Sequence, residues 1–221
     1  NEIKGDSGFN RTTKGIYEMG SSFKLFTVAA ALDMSIISFN NVYDARKPIK
    51  VSRYRINDYH AEKRWLSVPE IILYSSNIGA AKIGRDIGRE SQKKYLSRFG
   101  LLTSPDIELP EISAPMFPSA WRQINTMTIS YGHGIAVSPI QLITGIASIA
   151  NGGFKLKATL LKSSSKSILR KRILSEKTSD QVRRLMRLVV SQGTGKKAKT
   201  SGYLLGGKTG TAEKLQSGKY S

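Results

Sequence analysis

Ser21 and Lys24, in the run Ser21-Ser22-Phe23-Lys24, set a hydroxyl and an amine three residues apart at the predicted start of a helix. On a helix that spacing puts both groups on one face and within reach of each other. A serine hydroxyl becomes a nucleophile when a base takes its proton, and a lysine can be that base if burial keeps it neutral. Phe23, Leu25 and Phe26 supply apolar surroundings for such burial. The helix N-terminus adds a positive field where negative charge develops on an attacked carbonyl, and Gly20 lets a substrate come close. The predicted chemistry is nucleophilic attack by a serine hydroxyl.

The S-x-x-K spacing alone is unspecific. It recurs at Ser91–Lys94, in a highly charged helix, and at Ser163–Lys166, in a basic run. The bland reading of Ser21 is a helix N-cap. Two more segments supply context. Ser75-Ser76-Asn77 falls at a predicted break between helices, which turns a hydroxyl and an amide into a cleft. Lys208-Thr209-Gly210-Thr211 lies in a glycine-bearing predicted strand, offering a cation, hydroxyls and an edge backbone free to bond a peptide-like substrate. S-x-N occurs again at Ser38–Asn40, whereas K-T-G occurs once. The bland reading of Lys208 is an exposed strand lysine. The order S-x-x-K, S-x-N, K-T-G is the signature of serine acyl-transferases that react with penicillin.

The elements that must position these residues are read from periodicity and breakers. Helices are expected over 21–33, from Ser67-Val68-Pro69-Glu70 to about Tyr74, over 77–87, and over 89–99 with Gly100 after its end. The segment 43–65 reads as loop with short strand pieces. Pro105, Pro110, Pro115 and Pro118 make 101–120 an irregular connection. Ser138-Pro139 opens an apolar helix over 139–150, and 176–192 reads as an amphipathic helix stopped by Gly193-Thr194-Gly195. Strands are expected over 154–161 and 203–215. The fold class is α+β.

With 221 residues the chain is long enough for a full core without staples. There is no cysteine, which excludes disulfides, thiol nucleophiles and thiolate metal sites. A Ser-His-Asp triad would need His60 or His133 as its base, and two histidines are too few for a histidine-rich metal centre. No metal and no cofactor are expected. The 134–154 stretch carries no charge, but Pro139, its glycines and its polar residues suit a buried helix better than a membrane span. The 35 Lys and Arg against 16 Asp and Glu, net +19, draw the chain to polyanions. The basic runs 162–172 and 196–199 lack interleaved aromatics, so no specific nucleic-acid partner is expected.

At these residues the sequence resembles the transpeptidase domain of class B penicillin-binding proteins, in particular the FtsI-type cell-division D,D-transpeptidases of Gram-negative, alphaproteobacterial-like bacteria. Beyond the three motifs, Gly15 to Gly20, Asp58-Tyr59-His60, Tyr74 to Gly79, Tyr131 to Ile135 and Gly206 to Lys214 are similar to that family, across essentially the whole chain. The resemblance implies a penicillin-binding transpeptidase/serine β-lactamase-like fold, an antiparallel sheet with helical clusters. It implies Ser21 as nucleophile on a peptidoglycan stem peptide ending in D-Ala-D-Ala, and β-lactam antibiotics as mimics that leave Ser21 acylated. Lys24 would be the base, Ser75 a proton relay, and Asn77 the group orienting substrate and Lys24. Lys208 and Thr209 would hold the terminal carboxylate. Thr211 would lend its N–H, with that of Ser21, to the oxyanion hole beside Gly210. Both histidines look structural in their family-like stretches, and Glu18 and Glu213 stand near the motifs as partners for lysines.

By the same resemblance, 1–221 is a fragment of the domain, incomplete at both ends. The membrane anchor, the N-terminal domain, the last two strands and the C-terminal helix would lie outside it, leaving the strand of Lys208 with a bare edge. Divisome partners and the periplasmic face of the inner membrane are implied for the longer protein. A class A β-lactamase would share the trio, but no Glu here has Asn four residues later. Gly202 to Thr209 spells a P-loop, yet an apolar strand does not precede it and Gly210 follows where a helix should open.

Overall fold

The structure is a computed structural model. It describes residues 8–52, 54–162 and 170–211, together with the backbone of 215–216 and 219–220. The Ser163–Lys166 spacing and Glu213 lie outside the described residues.

The core is built around one helix, α1 (Lys24–Asp33), whose residues from Lys24 to Leu32 are all buried. A helix apolar on every side has no face for water and must be enclosed by others. Five do so: α2 (Val68–Leu73), α3 (Asn77–Ile87), α4 (Arg89–Phe99), α6 (Pro139–Ala150) and α7 (Glu176–Gln192) all pack on it. A further short helix, α5 (Gln123–Ile129), lies against α3. Phe26 stands edge-on to Phe23 at 5.4 Å and tilted against Phe99 at 4.9 Å. Val68, Ile71 and Ile72 of α2 are completely buried, each contributing on the order of 1.5–3 kcal/mol through burial.

The helix ends follow local chemistry. The Glu70 carboxylate accepts the Ser67 N–H at 2.8 Å, and Pro69 occupies the first turn of α2. Ser138 N–H likewise donates to Gln141 Oε1 at the start of α6. Gly100 ends α4 in the left-handed conformation, φ 82°.

Strands are short and paired in twos. β1 (Val42–Asp44) pairs with β4 (Trp65–Ser67), β2 (Ile49–Val51) with β3 (Tyr54–Ile56), β5 (Phe154–Lys155) with β6 (Lys171–Arg172), and β7 (Leu215–Gln216) with β8 (Lys219–Tyr220), all antiparallel. The fold class is α+β, as the sequence implies, but the strand extents differ. The strand expected over 154–161 stops at Lys155, where its pairing with β6 ends among the described residues. The strand expected over 203–215 is absent from 203–211, which runs as irregular chain, so the edge predicted for Lys208 is not a strand edge here. The helix expected from Ser21 begins instead with a 3-10 turn, Gly20–Phe23, before α1. No helix among the described residues is long and apolar enough to cross a membrane.

Candidate active site

Ser21 sits on the 3-10 turn one residue past Gly20, which has a positive φ of 52°. That turn is clamped by the segment 132–137. Tyr17 pairs with Val137 through both backbone bonds, Tyr17 N–H to Val137 O at 2.9 Å and Val137 N–H to Tyr17 O at 3.0 Å. Glu18 accepts the Gly134 N–H at 2.9 Å. Gly132 lies directly on Gly20, where a Cβ would come within 2.0 Å of the Gly20 carbonyl oxygen. Gly20, expected to admit substrate, has a buried backbone in contact with Gly132, so the small residue also serves packing.

Lys24, at the first position of α1, is 0% exposed. Its Nζ lies 2.7 Å from Ser21 Oγ, 2.7 Å from the Ser75 carbonyl oxygen, 3.0 Å from Ser75 Oγ and 2.7 Å from Asn77 Oδ1. An ammonium has three protons to give and four oxygens surround it. The Ser75 carbonyl and the Asn77 amide oxygen can only accept. In the neutral amine they take both N–H bonds, which leaves the lone pair to the two hydroxyls, and Ser21 Oγ is the nearer. Burial, then the Lys208 cation, holds the Lys24 pKa well below its usual value, and Asp58 partly offsets this.

Ser75 reaches this amine because the chain breaks there. It has a φ of 59°, in the left-handed region that a side chain other than glycine's rarely enters. Such a conformation costs on the order of 1–3 kcal/mol, and it allows both the carbonyl and the hydroxyl to meet Lys24. Asn77 opens α3, and its Nδ2 donates to the Asn57 carbonyl at 3.0 Å, which fixes the amide with Oδ1 toward Lys24. Asp58 secures the same helix start, accepting from Ser76 Oγ at 2.8 Å and from Ile78 N–H at 2.9 Å.

Lys208 closes the group from the far end of the sequence. Its Nζ donates to Ser75 Oγ at 2.8 Å and lies 2.9 Å from the Thr209 carbonyl and 3.2 Å from Thr209 Oγ1. Burial lowers its pKa to about 8. Gly210 runs beside the Gly20–Phe23 turn: a Cβ there would stand 3.0 Å from Ser22 Oγ and 3.3 Å from the Met19 carbonyl. Thr211, the next residue, is exposed. All three motif segments therefore meet at Ser21, Lys24, Ser75, Asn77 and Lys208.

The competing spacings fall elsewhere. Lys94 is exposed on α4, and Ser38 and Asn40 are exposed in a turn after α1. The P-loop spelling, Gly202 to Thr209, opens no helix among the described residues, and Lys208 turns inward to Ser75. His60 is exposed and edge-on to Tyr59 at 4.8 Å. Glu18 binds a backbone N–H rather than a lysine.

A family profile described as "Penicillin binding protein transpeptidase domain" matches residues 2–221. The chain belongs to this family. This transpeptidase domain is 38% identical over 213 residues to the probable peptidoglycan D,D-transpeptidase FtsI of Caulobacter vibrioides, covering 95% of the chain and 36% of that protein. It is 33% identical over 225 residues to stage V sporulation protein D of Bacillus subtilis, covering 92% of the chain and 34% of that protein. The chain thus spans about a third of the length of these curated relatives. It superimposes on the apo structure of the TP domain from Burkholderia pseudomallei penicillin-binding protein 3 with a TM-score of 0.90 and 33% identity, over 96% of this chain and 65% of that one.

Two residues of the site in this transpeptidase domain, Asn57 and Thr194, escape sequence reasoning. Asn57 and Asp58 brace the second motif from an irregular segment. Asp58 enters the sequence reading only within the family-like Asp58-Tyr59-His60 run, which carries no assigned role. Thr194, whose Oγ1 lies 2.8 Å from Thr209 Oγ1, reads in sequence only as part of a helix stop.

Proposed function

We propose that this chain is the catalytic portion of a peptidoglycan D,D-transpeptidase that cross-links stem peptides in septal cell-wall synthesis, with residues 1–221 belonging to its transpeptidase domain. Ser21 Oγ attacks the carbonyl between the last two D-alanines of a stem peptide while its proton passes to the neutral Lys24 amine. The oxyanion that forms is met by the N–H groups of Ser21 and Thr211. The C–N bond then breaks, and the departing D-alanine amine receives a proton from Lys24 by way of Ser75. The amine of a second stem attacks the Ser21 ester, its proton returns through the same groups, and Ser21 is released as the cross-link forms. Asn77 holds the donor peptide and Lys24 in register, and Lys208 and Thr209 receive the terminal carboxylate.

The observation that carries this reading is the wholly buried Lys24 amine, 2.7 Å from Ser21 Oγ with its two donor directions taken by oxygens that can only accept. The names of the relatives support the peptidoglycan substrate. On the resemblance to FtsI-type transpeptidases, the protein is placed at the periplasmic face of the inner membrane, anchored there and working with division proteins. β-Lactams, which mimic the terminal dipeptide, are expected to acylate Ser21. Intact-mass spectrometry after incubation with benzylpenicillin tests this. One persistent adduct, absent from Ser21→Ala, is the expected result, and an adduct that survives in Ser21→Ala would overturn the choice of nucleophile.

A further inference from the structure

Thr194 is a residue that no motif contains, and it sits at the end of a hydrogen-bonded chain leading to the nucleophile. Its Oγ1 lies 2.8 Å from Thr209 Oγ1, Thr209 Oγ1 lies 3.2 Å from Lys208 Nζ, and Lys208 Nζ lies 2.8 Å from Ser75 Oγ. Ser75 Oγ in turn meets Lys24, which meets Ser21. The turn that presents Thr194 is fixed on both sides. Gly193 N–H and Gly195 N–H both donate to the Val189 carbonyl, at 3.0 and 3.1 Å, closing α7. Gly193 is pressed against Leu73, where a Cβ would stand 2.7 Å from Leu73 Cδ1 and 2.8 Å from its carbonyl oxygen. Leu73 is two residues before Ser75. The one turn therefore packs on the segment carrying Ser75 and reaches Thr209 with its hydroxyl.

We propose that Thr194 is a positioning residue for recognition of the ligand's carboxylate: its hydroxyl donates to Thr209 Oγ1 and so commits the Thr209 proton to the carboxylate. This rests on the acyl-transfer reading above. A hydroxyl has one proton to give and two lone pairs to receive. Thr209 Oγ1 receives from Lys208 and, on this assignment, from Thr194, so its proton has no acceptor among the described residues and faces the ligand. An oxygen that accepts from a cation is polarised into a stronger donor. Without the Thr194 hydroxyl, the Thr209 side chain loses the partner that holds its rotamer and the direction of its proton.

The test is the rate of Ser21 acylation, followed by intact mass, with benzylpenicillin and with its methyl ester, which lacks the anion. Thr194→Val keeps the shape and removes the hydroxyl, and Thr194→Ser restores it. A hydrogen bond to a charged group corresponds to about a tenfold effect or more. In Thr194→Val, benzylpenicillin should acylate about tenfold more slowly while the ester changes less than about twofold, and Thr194→Ser should recover most of the loss. Thr194 is exposed, so thermal unfolding should not move. Equal slowing of acid and ester, or no slowing in a variant that melts with the parent protein, would overturn the role of Thr194 and leave the acyl-transfer reading standing. A parent protein that takes no penicillin at all would overturn both.

Discussion

The amines of Lys24 and Lys208 share one hydroxyl, Ser75 Oγ, at 3.0 and 2.8 Å. Two cations so close cannot both be cheap, and the fold decides which gives way. Lys24 is sealed from water and also faces the Lys208 charge, so its proton is the less secure of the two. Lys208 is only part-buried, and burial alone lowers it, to about 8. On the proposed reading, burial and the Lys208 charge favour loss of the proton from Lys24, beside Ser21, over loss from Lys208, within one connected group.

Acylation should accordingly have a bell-shaped pH dependence. The rate rises as Lys24 loses its proton and falls, with a midpoint near pH 8, as Lys208 loses the charge that attracts the carboxylate. Arginine stays charged across this range. In Lys208→Arg the falling limb should therefore vanish, even if the plateau is lower because the planar group fits Ser75 poorly. Rates of benzylpenicillin acylation between pH 5 and 10 decide the matter, and a falling limb unmoved in Lys208→Arg would assign it to another group.

Asp58 works against the other two influences on Lys24. Its negative charge favours the ammonium, and its oxygens bind Ser76 and Ile78 at the start of α3. Asp58→Asn should shift the rising limb of the same pH profile to lower pH, since one charge that retains the Lys24 proton is gone. It should also cost roughly 0.5–2 kcal/mol of stability, through a weaker bond at a helix N-terminus. A rising limb displaced to higher pH would contradict the sign.

Much of this was legible in the sequence, for reasons that differ between elements. The helices α2, α4, α6 and α7 carry strong periodicity with proline, serine or glycine at their ends, so pattern and caps agree. The helix α5, Gln-Ile-Asn-Thr-Met-Thr-Ile, is short and made of β-branched and polar residues, and it forms because it packs on α3. The 203–211 segment has strand-like residues, but a strand needs a partner to be one, and pairing is not written locally. The same distinction governs the site. Ser21 and Lys24 are neighbours on one turn, so spacing reveals them. Asp58 and Thr194 reach it only through the fold, and their types alone, an Asp in a loop and a Thr between two glycines, carry no signature.

The contact between Gly20 and Gly132 gives the sharpest steric test of how Ser21 is held. Gly132 has a φ of 88°, and its Cβ would lie 2.0 Å from the Gly20 oxygen and 2.6 Å from the Gly20 carbonyl carbon. Both atoms are backbone, so neither can swing aside as a side-chain tip would. Gly132→Ala therefore combines an unfavourable backbone conformation, on the order of 1–3 kcal/mol, with a clash relieved only by moving Gly20 or the 131–134 turn. Gly20 is covalently next to Ser21, and Ser21 Oγ must stay within hydrogen-bond reach of Lys24. A displacement of about 1 Å at a reacting group can lower rates by about a hundredfold. Two losses are expected together in Gly132→Ala: a lower melting temperature, and penicillin acylation slowed by about that factor at temperatures where the variant remains folded. Gly134 offers the comparison, because it too has a positive φ, 78°, but meets only Thr128 Oγ1 at 3.6 Å. Gly134→Ala should share the conformational penalty and keep most of the acylation rate. If both variants acylate alike, the packing of Gly132 on Gly20 does not position Ser21.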